Sequence, residues 1–230
     1  MIHQFIFAVP RPGWVAERFQ NYWLRQHAIL YAAKIRQIRQ YLIAPRVRVA
    51  GTINEAPAFE GVAEIWLRNE REQMESLLSD EFLQGARRDE PNWAAFWQTF
   101  VHESRSEVSW GKPAEADEFF KVYLFLKRRN GTGLEAFRQA LRTTVTDLAH
   151  GLPALARRTL APARDDFYGF GEPRFDALDV LAFASQRTYQ AALASATWTE
   201  YVTALSSLVE PQCLFGYTGR DHWIIRPGER

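Results

Sequence analysis

A single cysteine, Cys213, is too few for a disulfide within the chain or for a cluster of thiolate ligands around a metal. Its setting, QCLFGY, reads as a buried strand, which predicts a structural thiol rather than a nucleophile. An excess of either charge is also missing: 28 Lys and Arg against 27 Asp and Glu leave a formal net charge of +1. That balance offers no global attraction to nucleic acid or to an anionic membrane. Arg36, Arg39, Arg46 and Arg48 accordingly read as a solvated face rather than a phosphate footprint. No apolar run approaches the roughly 18 residues of a membrane span, and the first residues lack the charged-then-apolar order of a signal peptide. A cytoplasmic location is the expectation. HExxH, a Walker loop, GxGxxG and any Ser-His-Asp spacing are absent too, so no metal, nucleotide or other cofactor is expected.

What the chain has in quantity is aromatic side chains: 8 Trp, 8 Tyr and 16 Phe, enough for a sizeable core and an aromatic-lined pocket. Within Trp14 to His27, Phe19, Trp23 and His27 recur at four-residue steps, which puts three rings on one helix face. Pro10, Pro12 and Gly13 separate this helix, expected over Trp14–Ala33, from a strand over Ile2–Val9. Further strands are expected over Arg39–Val49, Gly61–Leu67 and Phe100–Ser109, with Gly51–Pro57 as a loop. Asn69, followed three residues on by Glu72, opens a second helix in the manner of a capping box, and another helical piece covers Glu81–Gln98. This β-α-β-β-α-β order is the ferredoxin-like unit.

The unit recurs. Val122–Leu126 answers the first strand, and Leu134–Ala149 the first helix, stopped by Gly151 and Pro153. LAP at 160–162 answers IAP at 43–45, Asp176–Phe183 answers the third strand, and LASATW at 193–198 answers LLSDEF at 77–82. Gln212–Ile225 holds the last strand. The matches keep an offset of about 115 to 118 residues, as a tandem duplication would. Two domains follow, 1–110 and 118–230, linked by Trp110–Asp117. The expected fold class is α+β: two tandem ferredoxin-like units whose antiparallel sheets pack face to face as a pseudo-dimeric α/β barrel.

Strand alternation assigns faces. Gln4, Ile6, Ala8, Ala63, Ile65 and Leu67 should face helices in the first unit, and Val122, Leu124, Leu126, Leu178, Val180 and Ala182 in the second. His3, Phe5, Phe7, Glu64 and Trp66 should point the other way, with Lys121, Tyr123, Phe125, Asp179 and Leu181 as their counterparts.

Phe19, Tyr22-Trp23 and His27, just after a hydrophobic strand and a Pro/Gly turn, resemble the signature of the EthD-like family of the dimeric α/β-barrel superfamily. GVAEIW at 61–66 and LLSDEF fit as well. The resemblance is good over 1–110 and holds in outline over 118–225. Two features depart from it: KIRQIRQ at 34–40 replaces the family's Pro-Gly turn, and Leu141 and Val145 stand where a second tryptophan and histidine would be. At most one site per chain, in the first repeat, is therefore implied. The resemblance implies a cofactor-free small-molecule enzyme of the cyclase, dehydratase or isomerase kind, or a cofactor-free oxygenase. Its substrate would be a hydrophobic aromatic or polyketide-like carbonyl compound of secondary metabolism. The same resemblance admits a non-catalytic ligand-binding accessory protein, or a haem-binding member with the histidine as axial ligand. The chain would act as a monomer with an internal pseudo-dimer, or as a homodimer.

On this reading His27 moves protons by general acid/base catalysis, and Gln4 and Tyr41 orient a substrate oxygen. A helix antiparallel to the first strand brings His27 back beside Gln4. Phe19, Trp23 and Trp66 wall the cavity, with Glu64 and Tyr22 as further substrate-binding candidates. The alternative for His27 is a packed histidine near a helix end. Glu64 and Asp179 are expected to pair with His3 or Lys121, because isolated buried carboxylates are costly.

Overall fold

The computed structural model describes residues 1–54, 58–111 and 117–230. Residues 55–57 of the expected loop and 112–116 of the expected linker lie outside the described residues. The chain forms two compact α+β units: Met1–Arg46, Pro57–Glu103 and Arg220–Arg230 make the first, Val47–Ala56 and Ser104–Gly219 the second.

In the first unit, β1 (Ile2–Ala8) leads to α1 (Ala16–Tyr22), which continues as a π-helical run over Trp23–Tyr31. Then come β2 (Gln40–Pro45), β3 (Gly61–Leu67) and α2 (Glu70–Leu78). A second π-helical run, Glu81–Ala86, passes into α3 (Arg87–Trp93) and β4 (Phe100–Ser104). Asn69 caps α2 as its sequence suggests, its side chain accepting from the Glu72 amide at 3.0 Å. The sheet runs β4-β1-β3-β2, with β10 (His222–Ile225) on the β2 edge. β1 pairs with β3, β3 with β2, and β2 with β10, all antiparallel.

The second unit repeats this plan. It holds β6 (Phe120–Leu126), α4 (Leu134–Arg142), α5 (Thr144–His150), β7 (Leu155–Pro162), β8 (Ala177–Phe183), α6 (Gln186–Leu193), α7 (Ala196–Leu208) and β9 (Phe215–Arg220). Its sheet runs β9-β6-β8-β7, with β5 (Glu107–Trp110) on the β7 edge. Each sheet thus has the ferredoxin-like order plus a fifth strand.

Two expectations need amending. The run Phe100–Ser109 divides between the sheets: β4 stays in the first, whereas β5 pairs with β7 through Glu107↔Leu160 and Val108↔Thr159. Alternation identifies a strand but not its partner, so the compact units are not the consecutive halves 1–110 and 118–230. The second concerns β8. Ile6 stands opposite Ala63 in the first sheet, and Leu124 stands opposite Asp179 in the second. Asp179, not Leu178, is therefore the counterpart of Ala63, and Ala177, Asp179, Leu181 and Phe183 share the helix-covered face with Val122, Leu124 and Leu126. A slip of one residue turns every side chain of a strand over.

The reason the carboxylate is tolerated on that face is a fully buried ion pair. Arg158 on β7 and Asp179 on β8 are both 0% exposed. The guanidinium donates to Asp179 at 2.8 and 2.9 Å, and Tyr201 on α7 donates to the same carboxylate at 2.7 Å. Leu141 O, Thr146 Oγ1 and Ser109 Oγ take the remaining guanidinium protons. No helix among the described residues is long and apolar enough to cross a membrane.

Candidate active site

Helix-side residues of the first unit build a dense aromatic cluster. Phe19, Trp23 and Trp93 pack with ring centroids 4.8 to 5.5 Å apart, and all three are at most 2% exposed. Tyr41, buried on β2, accepts from the Trp23 indole, and burial pushes its phenol well above the usual range. Gly61 is what lets Trp23 lie on the sheet: a Cβ there would meet the indole at 2.5 and 2.8 Å. Gly61→Ala should therefore displace Trp23 and lower stability by about 1–3 kcal/mol. Chemical denaturation checks this, and an unchanged midpoint would contradict the contact.

His27, 6% exposed, sits over this cluster with its ring 4.6 Å from that of Trp93. Nδ1 lies 2.9 Å from Asp89 Oδ2 and 3.1 Å from Trp93 Nε1. One nitrogen cannot both donate to a carboxylate and accept from an indole, so the network must choose the tautomer. Asp89 decides. Burial alone would push its carboxyl up, but bonds from His27, Tyr22 (2.7 Å) and Asn92 (3.2 Å) outweigh burial and hold it below its ordinary range. An ionised carboxylate only accepts, so Nδ1–H donates to Asp89 and the neutral ring keeps its lone pair on Nε2. No partner for Nε2 is found among the described residues. Tyr22, with its phenol pushed up to about 12 by burial and by Asp89, remains a proton donor to that carboxylate. The result is an oriented Asp89–His27 dyad, able to take a proton at Nε2 and to stabilise the imidazolium that forms.

The local sequence makes this arrangement by lengthening two helices. In the second unit Phe137 N bonds Gly133 O as Phe19 N bonds Val15 O, and Leu152 N bonds Ala149 O as Ile35 N bonds Ala32 O. Between these anchors the first unit has one more residue, taken up by the π-helical run Trp23–Tyr31. Counted from the anchored end, Ala28 answers Val145, and His27 answers Thr144, which is exposed. The histidine is thus the residue that the widened turn adds to the buried face, not the equivalent of Val145. The second run behaves alike. Phe82 N bonds Ser79 Oγ as Trp198 N bonds Ser195 Oγ, and Arg11 N bonds Trp93 O as Arg129 N bonds Leu208 O. Phe82–Trp93 is one residue longer than Trp198–Leu208, and Glu81–Ala86 absorbs it just before Asp89.

The sequence-derived site is partly assembled. Phe19, Tyr22, Trp23, His27 and Tyr41 lie on the helix side of the first sheet. Gln4 is not the partner of His27: its amide donates to Glu103 Oε1 at 2.6 Å, which also accepts from Gln73. Glu64 and Trp66 lie on the opposite face, so neither walls a cavity at His27. There His3 stands 2.9 Å from Glu64 and stacks on Trp66 at 4.1 Å, as its expected pairing requires. Asp89 and Trp93 escaped the sequence reading. Their signal was a carboxylate and an indole four residues apart in DEPNW, the spacing of one helix face. In the second unit Leu141 and Val145 are fully buried in the hydrophobic core with Val122 and Leu124. No group of three His, Cys, Asp or Glu placed to hold a metal ion occurs among the described residues.

Fold and site together define a class, tandem ferredoxin-like α+β proteins in which the first unit carries a buried histidine–carboxylate pair. Residues 11–96, which span the whole dyad, match the EthD domain. Solved structures extend the likeness of fold along the chain. An anthrone oxidase-like protein superposes with a TM-score of 0.64 at 12% identity, over 96% of this chain and 91% of the other. A candidate monooxygenase from Lactobacillus acidophilus NCFM gives 0.55 at 12% identity, over 99% and 96%. A major regulator of staphylococcal pathogenesis gives 0.51 at 11% identity, over 95% and 98%. No curated protein matches the chain.

Proposed function

We propose that the first unit is a small-molecule enzyme in which His27 takes a proton from an enolisable aromatic or polyketide-like carbonyl compound. The C–H bond breaks, its electron pair enters an enolate, and the proton goes to Nε2, with Asp89 holding the resulting imidazolium. Returning that proton at another atom completes an isomerisation; expulsion of a β-hydroxyl or attack on a second carbonyl completes a dehydration or a cyclisation. The observation that carries this reading is the oriented dyad, with a free Nε2 above an aromatic cluster. A second reading ends differently: the enolate gives its electrons to dioxygen and its carbon joins the reduced oxygen as a hydroperoxide, whose O–O bond then breaks with loss of water, leaving one oxygen atom as a new carbonyl. The fold shared with an anthrone oxidase-like protein and a candidate monooxygenase favours it.

Incubation with anthrone and with an aromatic β-diketone, following both product and oxygen uptake, tests the proposal. Turnover is expected, with oxygen consumed only on the second reading. His27→Ala should abolish most of it while ligand binding persists. Binding without turnover by the native protein would instead identify a carrier.

A further inference from the structure

The comparison of the two units isolates one more residue. Ala94 N bonds Glu90 O as Val209 N bonds Leu205 O, so Glu90 occupies the place that Leu205, 0% exposed, fills in the second unit. Glu90 is itself only 5% exposed. A carboxylate in a leucine position is unfavourable unless its oxygens are used. Oε2 accepts from Arg87 Nη1 at 2.7 Å, and Oε1 has no partner among the described residues. Glu90 follows Asp89 directly and precedes Trp93 by one helical turn, so it lies on the short helix that carries both partners of His27. We propose that Glu90 is a specificity-determining residue of this site, its unpaired oxygen accepting a hydrogen bond from a ligand hydroxyl, so that the ligand class is hydroxylated aromatic compounds. The proposal rests on reading the His27 site as a ligand site.

Two further observations support it. As a carboxylate, Glu90 Oε1 can only accept, whereas His27 Nε2 is engaged by the substrate C–H in the proposed proton transfer and the Tyr22 phenol is committed to Asp89. A ligand complementary to Glu90 brings a donor, and a phenol does so on a flat aromatic frame. Burial also pushes the Glu90 carboxyl up to about 7 despite the pull of Arg87, with Asp89 adding to the rise. That is the effect of burial on a carboxyl whose one ion-pair partner does not fully offset it.

The test is equilibrium binding of naphthoresorcinol and of its dimethyl ether, which has the same rings but no donor, measured by calorimetry. The native protein should prefer naphthoresorcinol by about 10- to 100-fold, the scale of one hydrogen bond to a charged group. Glu90→Leu should erase that preference by weakening naphthoresorcinol alone, and should stay folded because the second unit holds leucine there. Glu90→Gln, which keeps the shape and a neutral acceptor, should retain a smaller preference and covers the case in which the leucine variant misfolds. His27→Ala, measured in parallel, should keep the preference while losing turnover, so proton transfer and ligand selection fail separately. No binding of naphthoresorcinol by the native protein, equal binding of the two compounds, or an undiminished preference in both Glu90 variants would overturn the proposal.

Discussion

Asp179→Ala should destabilise the second unit by about 3–5 kcal/mol, the largest stability change expected of any single substitution in the chain. The substitution removes little volume but leaves the Arg158 guanidinium, 0% exposed, without its counter-charge. Leu141 O, Thr146 Oγ1 and Ser109 Oγ still accept from it, yet none carries the charge that offsets desolvation. The first unit shows that the fold does not require this pair, because Tyr41 and Ala63 fill the corresponding positions. Replacing both partners, as Arg158→Met with Asp179→Leu, should therefore recover most of the loss. Urea unfolding of the three proteins decides the matter. A loss below about 1 kcal/mol for Asp179→Ala would mean that water reaches Arg158 and that the pair is not sealed.

His27→Ala should reduce turnover by about 10²- to 10⁴-fold, the usual scale for a general acid or base. Asp89→Asn should cost a similar factor, because asparagine keeps the shape but no longer fixes the Nδ1–H tautomer or stabilises the imidazolium. The two changes touch one device, so the double variant should be scarcely slower than the worse single one. Val145→Ala, at the aliphatic position of the second unit, should leave turnover almost unchanged, apart from the cost of a small cavity. Additive losses in the double variant would show that Asp89 and His27 act separately. Equal losses for His27→Ala and Val145→Ala would reduce the histidine to packing.

Much of the scaffold was legible in the sequence because it rests on local periodicity. Ile2–Ala8, Gly61–Leu67 and Phe120–Leu126 alternate or run apolar between turn signals, and all became strands. Asn69 announced its helix through a single side chain. What failed was information held in pairing. The one-residue slip in β8 went unnoticed because a carboxylate reads as belonging to the face away from the helices until Arg158, 21 residues earlier, supplies its partner. β5 read as the tail of β4 because nothing in EVSW names β7 as its neighbour.

The site was legible on one helix only. Phe19, Trp23 and His27 announced themselves by spacing, yet the antiparallel return of the helix along β1 suggested Gln4 as partner, and Gln4 turned to Glu103. A four-residue step also made His27 appear equivalent to Val145. The inserted residue that separates them is invisible without anchored hydrogen bonds on both sides. Asp89 lay hidden among the charges of RRDEP, a run whose composition reads as surface. Burial of two adjacent carboxylates there, at 4% and 5% exposure, is a tertiary fact that no local pattern encodes.

Nitrogen-15 NMR of the imidazole of His27 tests the central claim most directly, because it reads the dyad without requiring a known substrate. The neutral ring should show a protonated Nδ1 in a strong hydrogen bond and a bare, pyridine-like Nε2. In Asp89→Asn the proton should redistribute between the two nitrogens. A neutral ring with its proton on Nε2 and Nδ1 accepting from Trp93, unaltered by Asp89→Asn, would contradict it.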